Sequence, residues 1–180
     1  MKVISGSLKG RVIKGYDILG TRPTMDRVKE SLFAMIQDRI KESVCLDLFA
    51  GSGNLGIEAI SNGACLVYFV DNNKKAINVI KDNLINFNIL DKSKILNIDY
   101  KDALRHFSST NTSFDLIFID PPYNMKVIEE ILEFISLNKL LNKDGQVICE
   151  CDDFSLKEKY NNLVMVKQKK YANKMVYIYC

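Results

Sequence analysis

Apolar positions follow two rhythms along the chain. Cys65–Val70, Phe114–Ile119 and Gln146–Cys151, together with Val44–Phe49 and a shorter stretch at about Lys94–Ile98, are apolar at most positions and read as strands covered on both faces. Between them, at about Leu55–Asn62, Lys74–Phe87, Ala103–Phe107 and Met125–Leu137, apolar residues recur every three or four positions, as on a helix packed along one side. Strands alternating with helices predict an α/β protein with a doubly wound, mostly parallel sheet. Leu163–Val166 and Met175–Tyr179 end the series, and the eight residues between them are too few for a parallel crossover. They are expected to pair as an antiparallel hairpin, giving a Rossmann-like sheet of seven strands with one reversed. At the other end, Val3–Ile13 reads as a short β-hairpin, and a helix over Met25–Ile40, N-capped by Thr24, follows the bend at Pro23. The expected organisation is a single domain over 1–180: a small N-terminal extension over 1–40 and a core over 41–180.

With 180 residues and 47% hydrophobic content, the chain can bury one good core and is short for two. It contains neither a bilayer-length apolar run nor a signal-peptide pattern, so a soluble, cytoplasmic protein without a membrane partner is expected, as a monomer. The five cysteines lack paired C-x-x-C spacing and read as reduced thiols in largely apolar surroundings. His106 is the one histidine and has no second candidate ligand, so no metal site is expected.

Charge changes the picture more than composition does. Residues 1–30 carry seven basic side chains against three acidic ones, and residues 157–180 six against one; with an overall charge of +3, residues 31–156 are left at −6. Basic ends around an acidic middle suit a protein that holds a phosphate polymer at its margins and a cationic cofactor at its centre. Ordinary solvated faces would carry the same charges. Lys9, Arg11, Arg22 and Arg27 are the candidate nucleic-acid contacts, and for the cluster Arg22, Arg27 and Lys29 phosphate binding and simple solvation remain equally open.

The chemistry concentrates in two places. Val44–Asp47 runs into Gly51-Ser52-Gly53-Asn54-Leu55-Gly56 and then into a helix, the arrangement in which free backbone N–H groups and flexible glycines cradle a nucleotide cofactor. The spacing fits a dinucleotide fingerprint, with Asp71 at the next strand end placed for a ribose. Asp47 separates the cofactors: a pyrophosphate would meet a like charge, whereas a sulfonium and an ammonium would meet an opposite one, favouring S-adenosylmethionine over NAD. The same carboxylate could instead cap the turn or the following helix. The candidate cofactor set is Asp47, Phe49, Gly51, Gly53 and Asp71, with Asp102 as either an acceptor for an adenine amino group or the N-cap of the helix after it.

The second place is Asp120-Pro121-Pro122-Tyr123, delivered at the carboxyl end of a buried strand, where ligands of open parallel sheets bind. A nucleobase amino group is a poor nucleophile because its lone pair is delocalised. The Asp120 carboxylate and the Pro121 carbonyl can accept its two N–H groups, proline keeps the acceptor pair rigid, and Tyr123 offers a stacking face.

Together, the Asp47–Gly56 loop, Asp71 and Asp120–Tyr123 resemble a class I S-adenosylmethionine-dependent amino-methyltransferase. Gly6-Ser7-Leu8-Lys9-Gly10-Arg11 and Thr21-Arg22-Pro23-Thr24-Met25-Asp26-Arg27-Val28 extend the resemblance over nearly the whole chain, to the bacterial RsmD family of guanine-N2 methyltransferases of 16S ribosomal RNA. That resemblance implies methylation of one guanine in a partly or fully assembled small subunit. N6-adenine methylation of DNA uses the same tetrapeptide, but is expected to need a target-recognition domain for which this chain has no room.

Overall fold

The computed structural model of the protein describes residues 1–15, 23–122, 127–152, 155–171 and 174–180. Among these, eight strands form one sheet: β1 Val44–Asp47, β2 Leu66–Val70, β3 Ser93–Leu96, β4 Phe114–Ile119, β5 Leu141–Asp152, β6 Lys159–Tyr160, β7 Leu163–Tyr171 and β8 Lys174–Tyr179. Their spatial order is β3-β2-β1-β4-β5-β8-β7-β6. The first five in that order are parallel, and β8 runs antiparallel to both β5 and β7, which is the expected reversed strand in an α/β, doubly wound sheet. The eighth strand, β6, goes beyond the expected seven, because its two residues are too few to show a period. β7 also runs five residues past its apolar pattern: Lys167–Lys170 is exposed and therefore polar while remaining paired with β8.

The described helices are α1 Pro23–Ile36, α2 Asn54–Ser61, α3 Lys74–Phe87, α4 Tyr100–Ser109 and α5 Ile128–Leu137. None is long and apolar enough to cross a membrane. α1 starts at Pro23, not after Thr24, since proline in a first turn sacrifices no hydrogen bond; it gives way at Ile36 to a 3₁₀ turn over Gln37–Arg39. Alternation along the strands builds a core on each face. Cys45, Phe69, Leu116, Phe118 and Ile148 pack beneath α1, α2 and α3, while Leu46, Val70, Ile117, Ile119 and Cys149 pack beneath α4 and α5. Cys45, Cys149 and Cys151 are buried, Cys65 and Cys180 exposed, and all five are free thiols.

The expected N-terminal hairpin narrows to a single antiparallel bridge, Lys2↔Val12, around a 3₁₀ turn at Gly6–Leu8. Val3 and Ile13 N–H still donate across it, to the Arg11 and Met1 carbonyls at 3.0 Å each, while donors nearer the turn go elsewhere. Ile4 and Ser5 N–H donate to the buried Glu58 carboxylate at 2.9 and 2.8 Å, and Leu8 N–H donates to Ser61 Oγ at 3.0 Å. The turn is thereby fastened to α2, the helix that leaves the glycine loop. α1 joins the same junction through Lys29, whose Nζ lies 2.9 Å from Glu58 Oε2 and donates to Asn54 Oδ1 at 2.8 Å.

Candidate active site

The strand order reverses between β1 and β4, and at that switch point their carboxyl ends deliver Asp47 and Asp120 side by side: Asp47 pairs with Phe118, two residues before Asp120. The neighbouring strand does the same on the other side, since Asp47 pairs with Phe69, two residues before Asp71. The glycine loop is suspended between these strands. Leu48 N–H donates to the Phe118 carbonyl at 3.1 Å and Ala50 N–H to the Val70 carbonyl at 2.9 Å. Gly51 and Gly53 sit at φ 55° and 83°, and the turn closes through Gly53 N–H to the Ala50 carbonyl at 2.7 Å. Gly56 serves packing: a Cβ there would lie 2.3 Å from the Phe69 ring, so only glycine lets α2 settle this closely on β2.

A cleft of about 460 Å³ opens above these strand ends, lined by Phe49, Gly51, Asp71, Asn72, Asn73, Ile98, Asp99, Tyr100, Asp120, Pro121, Pro122 and Lys174, among others. The size is that of a small-molecule site. Of the residues selected from sequence, it brings together Phe49, Gly51, Asp71, Asp120, Pro121 and Pro122. Asp71 is held ready by two backbone donors, Gly51 N–H and Asn73 N–H, each at 2.8 Å. The Phe49 ring lies 5.2 Å from Tyr100, forming an apolar wall.

Other candidates take different places. Asp47 does not line the cleft: it is buried and accepts Gly56 N–H at 2.9 Å, so it shapes the loop and the start of α2, the second of the two roles the sequence left open. Burial, eased by the Gly56 N–H and aggravated by the charge of Asp71, pushes its carboxyl up to about 7. Asp102 is likewise outside the cleft. α4 starts at Tyr100 and is capped by Asp99, whose carboxylate accepts Lys101 N–H at 2.9 Å; this leaves Asp102 exposed in the first turn, 3.3 Å from Arg105. Asp99 lines the cleft in its stead, a shift that follows from a short helix starting three residues early. Tyr123 and Arg22 lie outside the described residues.

Among the basic candidates, Lys9 and Arg27 are exposed. Arg11 has a structural post: its guanidinium donates to the Asn86 carbonyl at 2.5 Å, at the end of α3, and sits 4.4 Å over the Phe87 ring. Lys29 serves neither phosphate binding nor solvation, the two roles its sequence surroundings allow, since it is buried against Glu58.

Two residues that sequence reasoning missed stand beside Asp120. Lys174, at the start of β8, lines the cleft and is ion-paired with Glu150 of β5, and both are buried. Desolvation and the charge of Glu150 push the Asp120 carboxyl up to about 8, against the pull of Lys174. Glu150 alone could have been anticipated, as a charged residue inside an otherwise apolar strand.

The raised Asp47 carboxyl ties stability to pH. Holding its proton more tightly when folded, Asp47 loses its stabilising contribution as pH rises from about 4, its ordinary range, through about 7. Asp47→Asn should therefore gain stability relative to wild type over that window, by about 1 kcal/mol or more, in urea titrations at pH 4.5 and 8. An equal stability difference at both pH values would contradict this.

Comparisons with known proteins follow the same geometry. The family described as Conserved hypothetical protein 95 matches residues 1–180. The chain is 41% identical over 180 residues to the "Putative rRNA methyltransferase YlbH" of Bacillus subtilis (strain 168), covering 99% of this chain and 98% of that one. It is 34% identical over 184 residues to ribosomal RNA small subunit methyltransferase D of Buchnera aphidicola subsp. Acyrthosiphon pisum, covering 98% and 91%. Among solved structures, "Putative methyltransferase yhhF from Escherichia coli" superposes with a TM-score of 0.88 at 27% identity, covering 99% of this chain and 96% of that one.

Proposed function

This chain belongs to the RsmD family, that of ribosomal RNA small subunit methyltransferase D and its relatives, and we propose that it methylates the N2 amino group of a guanine in 16S ribosomal RNA, using S-adenosylmethionine. The observation that carries the reading is one cleft in which the glycine loop and Asp71 face Asp120-Pro121-Pro122.

The residues present fit the cofactor. Asp71 offers an acceptor-only carboxylate for a ribose diol, Phe49, Ile98 and Tyr100 offer apolar surface for an adenine, and the acids around the cleft suit a cationic methionine moiety. When bound, S-adenosylmethionine supplies an electrophilic methyl group on a sulfonium, leaving S-adenosylhomocysteine once the group is transferred. The chain's own part is to prepare the nucleophile. Asp120 and the Pro121 carbonyl accept the two amino hydrogens of the base, orient its nitrogen and favour a pyramidal geometry. Asp120 then takes the proton that the methylated amine sheds.

The relatives named for the small subunit support a ribosomal RNA substrate, and the preference for guanine rests on the chemistry of the base. Guanine presents N1–H beside its N2 amino group, so a carboxylate can accept from both, whereas the ring nitrogen beside the adenine amino group is an acceptor. The test is to give labelled S-adenosylmethionine and the protein to small subunits from cells lacking the enzyme, digest the RNA and identify the labelled nucleoside. N2-methylguanosine is expected; N6-methyladenosine, or label only in naked DNA, would refute the assignment.

The basic residues divide accordingly. Replacing exposed Lys9 and Arg27 together by glutamine should weaken RNA binding and reduce the slope of log K against log salt by about 0.7–0.9 for each phosphate no longer neutralised. Arg11→Ala should instead leave the slope in place and cost about 1 kcal/mol of stability through the end of α3. An unchanged slope in the double variant would mark Lys9 and Arg27 as ordinary surface charges.

A further inference from the structure

Four adjacent strands end in a row of charged residues on one face of the sheet. Asp47 follows Cys45 in the two-residue period, Asp120 follows Phe118, Glu150 follows Ile148, and Lys174 precedes Val176; the four apolar residues all belong to the core beneath α1, α2 and α3. The register keeps them together: β1 pairs Asp47 with Phe118, β4 pairs Ile119 with Cys149, and β5 pairs Glu150 with Val176 and Asp152 with Lys174. Around Asp120 stand Glu150 and Asp152 of β5, Asp47 of β1 and Lys174 of β8.

Resting on the reading of Asp120 as the acceptor for the amino group, we propose that Lys174 is a positioning residue for the transfer, its ammonium anchored on Glu150 so as to favour, against the acids nearby, the ionised form of Asp120 that accepts hydrogen bonds. Among the described residues, three acids surround the Asp120 carboxylate and Lys174 opposes them. A protonated Asp120 would present a donor where an amino group also presents donors. Burial of both Lys174 and Glu150 makes their effect on Asp120 strong, because little water intervenes to screen it. The tail hairpin, which contributes β8, thus takes part in the chemistry without touching the reacting atoms.

Two variants push in opposite directions. Lys174→Met removes the cation and should raise the pH at which Asp120 ionises. For each pH unit of that rise, kcat at pH 7 should fall about tenfold and recover as the pH is raised. Glu150→Gln removes the strongest repelling charge among the described residues and should shift the profile to lower pH. Lys174→Arg should restore the wild-type profile. The experiment is a carbon-13 titration of aspartate-labelled protein, with the Asp120 signal assigned through Asp120→Asn, alongside pH–rate profiles of methyl transfer. Opposite shifts of the Asp120 midpoint in Lys174→Met and Glu150→Gln are expected. A midpoint unmoved in both, or a loss of rate in Lys174→Met that is the same at every pH, would overturn the proposal. If Lys174→Met does not fold, the direction of shift in Glu150→Gln decides. The titration needs no RNA, so shifted midpoints in a protein that methylates no RNA would defeat the functional reading and leave the charge device standing.

Discussion

Asp120→Ala is expected to lower kcat for methyl transfer by at least about 10²–10³, the usual cost of deleting a preorganised polar group from a reacting centre. The carboxylate stands at the carboxyl end of β4, on the cleft wall beside Pro121, and one oxygen of an acceptor pair disappears with it. The grips proposed for the cofactor belong to other elements: the glycine loop, Asp71 after β2 and Phe49 after β1. Affinity for S-adenosylhomocysteine, measured by calorimetry, should therefore stay within about threefold of wild type, because the deleted group acts on the base. Loss of both affinity and rate would mean that Asp120 serves the cofactor. Full turnover would end the amino-activation mechanism.

The largest expected effect on stability is far from the cleft. Glu58 is fully buried on α2, accepts Ile4 N–H, Ser5 N–H and Ser5 Oγ–H, and is the counter-ion of buried Lys29. Glu58→Ala strands an ammonium in the interior and orphans two backbone donors, for a loss of about 3–5 kcal/mol. At this size that corresponds to a melting temperature about 6–20 °C lower. Adding Lys29→Met should recover part of the loss, since the stranded charge goes with it. Because Lys29 also donates to Asn54, the first residue of α2, the single variant should loosen the glycine loop and weaken cofactor binding beyond its thermal effect. A melting temperature within about 3 °C of wild type would contradict this view of the junction.

The parts legible in the sequence were those fixed by neighbours along the chain. A buried strand followed by a glycine turn, and another followed by Asp-Pro-Pro, each place their residues at the carboxyl edge of a parallel sheet without long-range information, and α3 and β4 appear with their expected limits. Partnerships across the chain were not legible. Nothing local announces that Lys29 will meet Glu58, that Arg11 will close the end of α3, or that Lys174 will leave a run of exposed lysines to stand beside Asp120. Asp102 failed for a different reason: capping residues near a short helix lie close together in sequence, and Asp99 took the cap that would have left Asp102 in the loop. Asp47 was placed correctly at its strand end, yet which backbone N–H it would accept depended on how closely Gly56 let α2 approach β2.

The most direct measurement is a crystal structure of the protein soaked with S-adenosylhomocysteine. Density is expected along the Gly51–Gly53 turn, with the ribose hydroxyls on the Asp71 carboxylate and the sulfur end directed toward Asp120. Density in another cavity, or a ligand whose sulfur points away from Asp120 while its ribose leaves Asp71 untouched, would contradict the assignment of this cleft to methyl transfer.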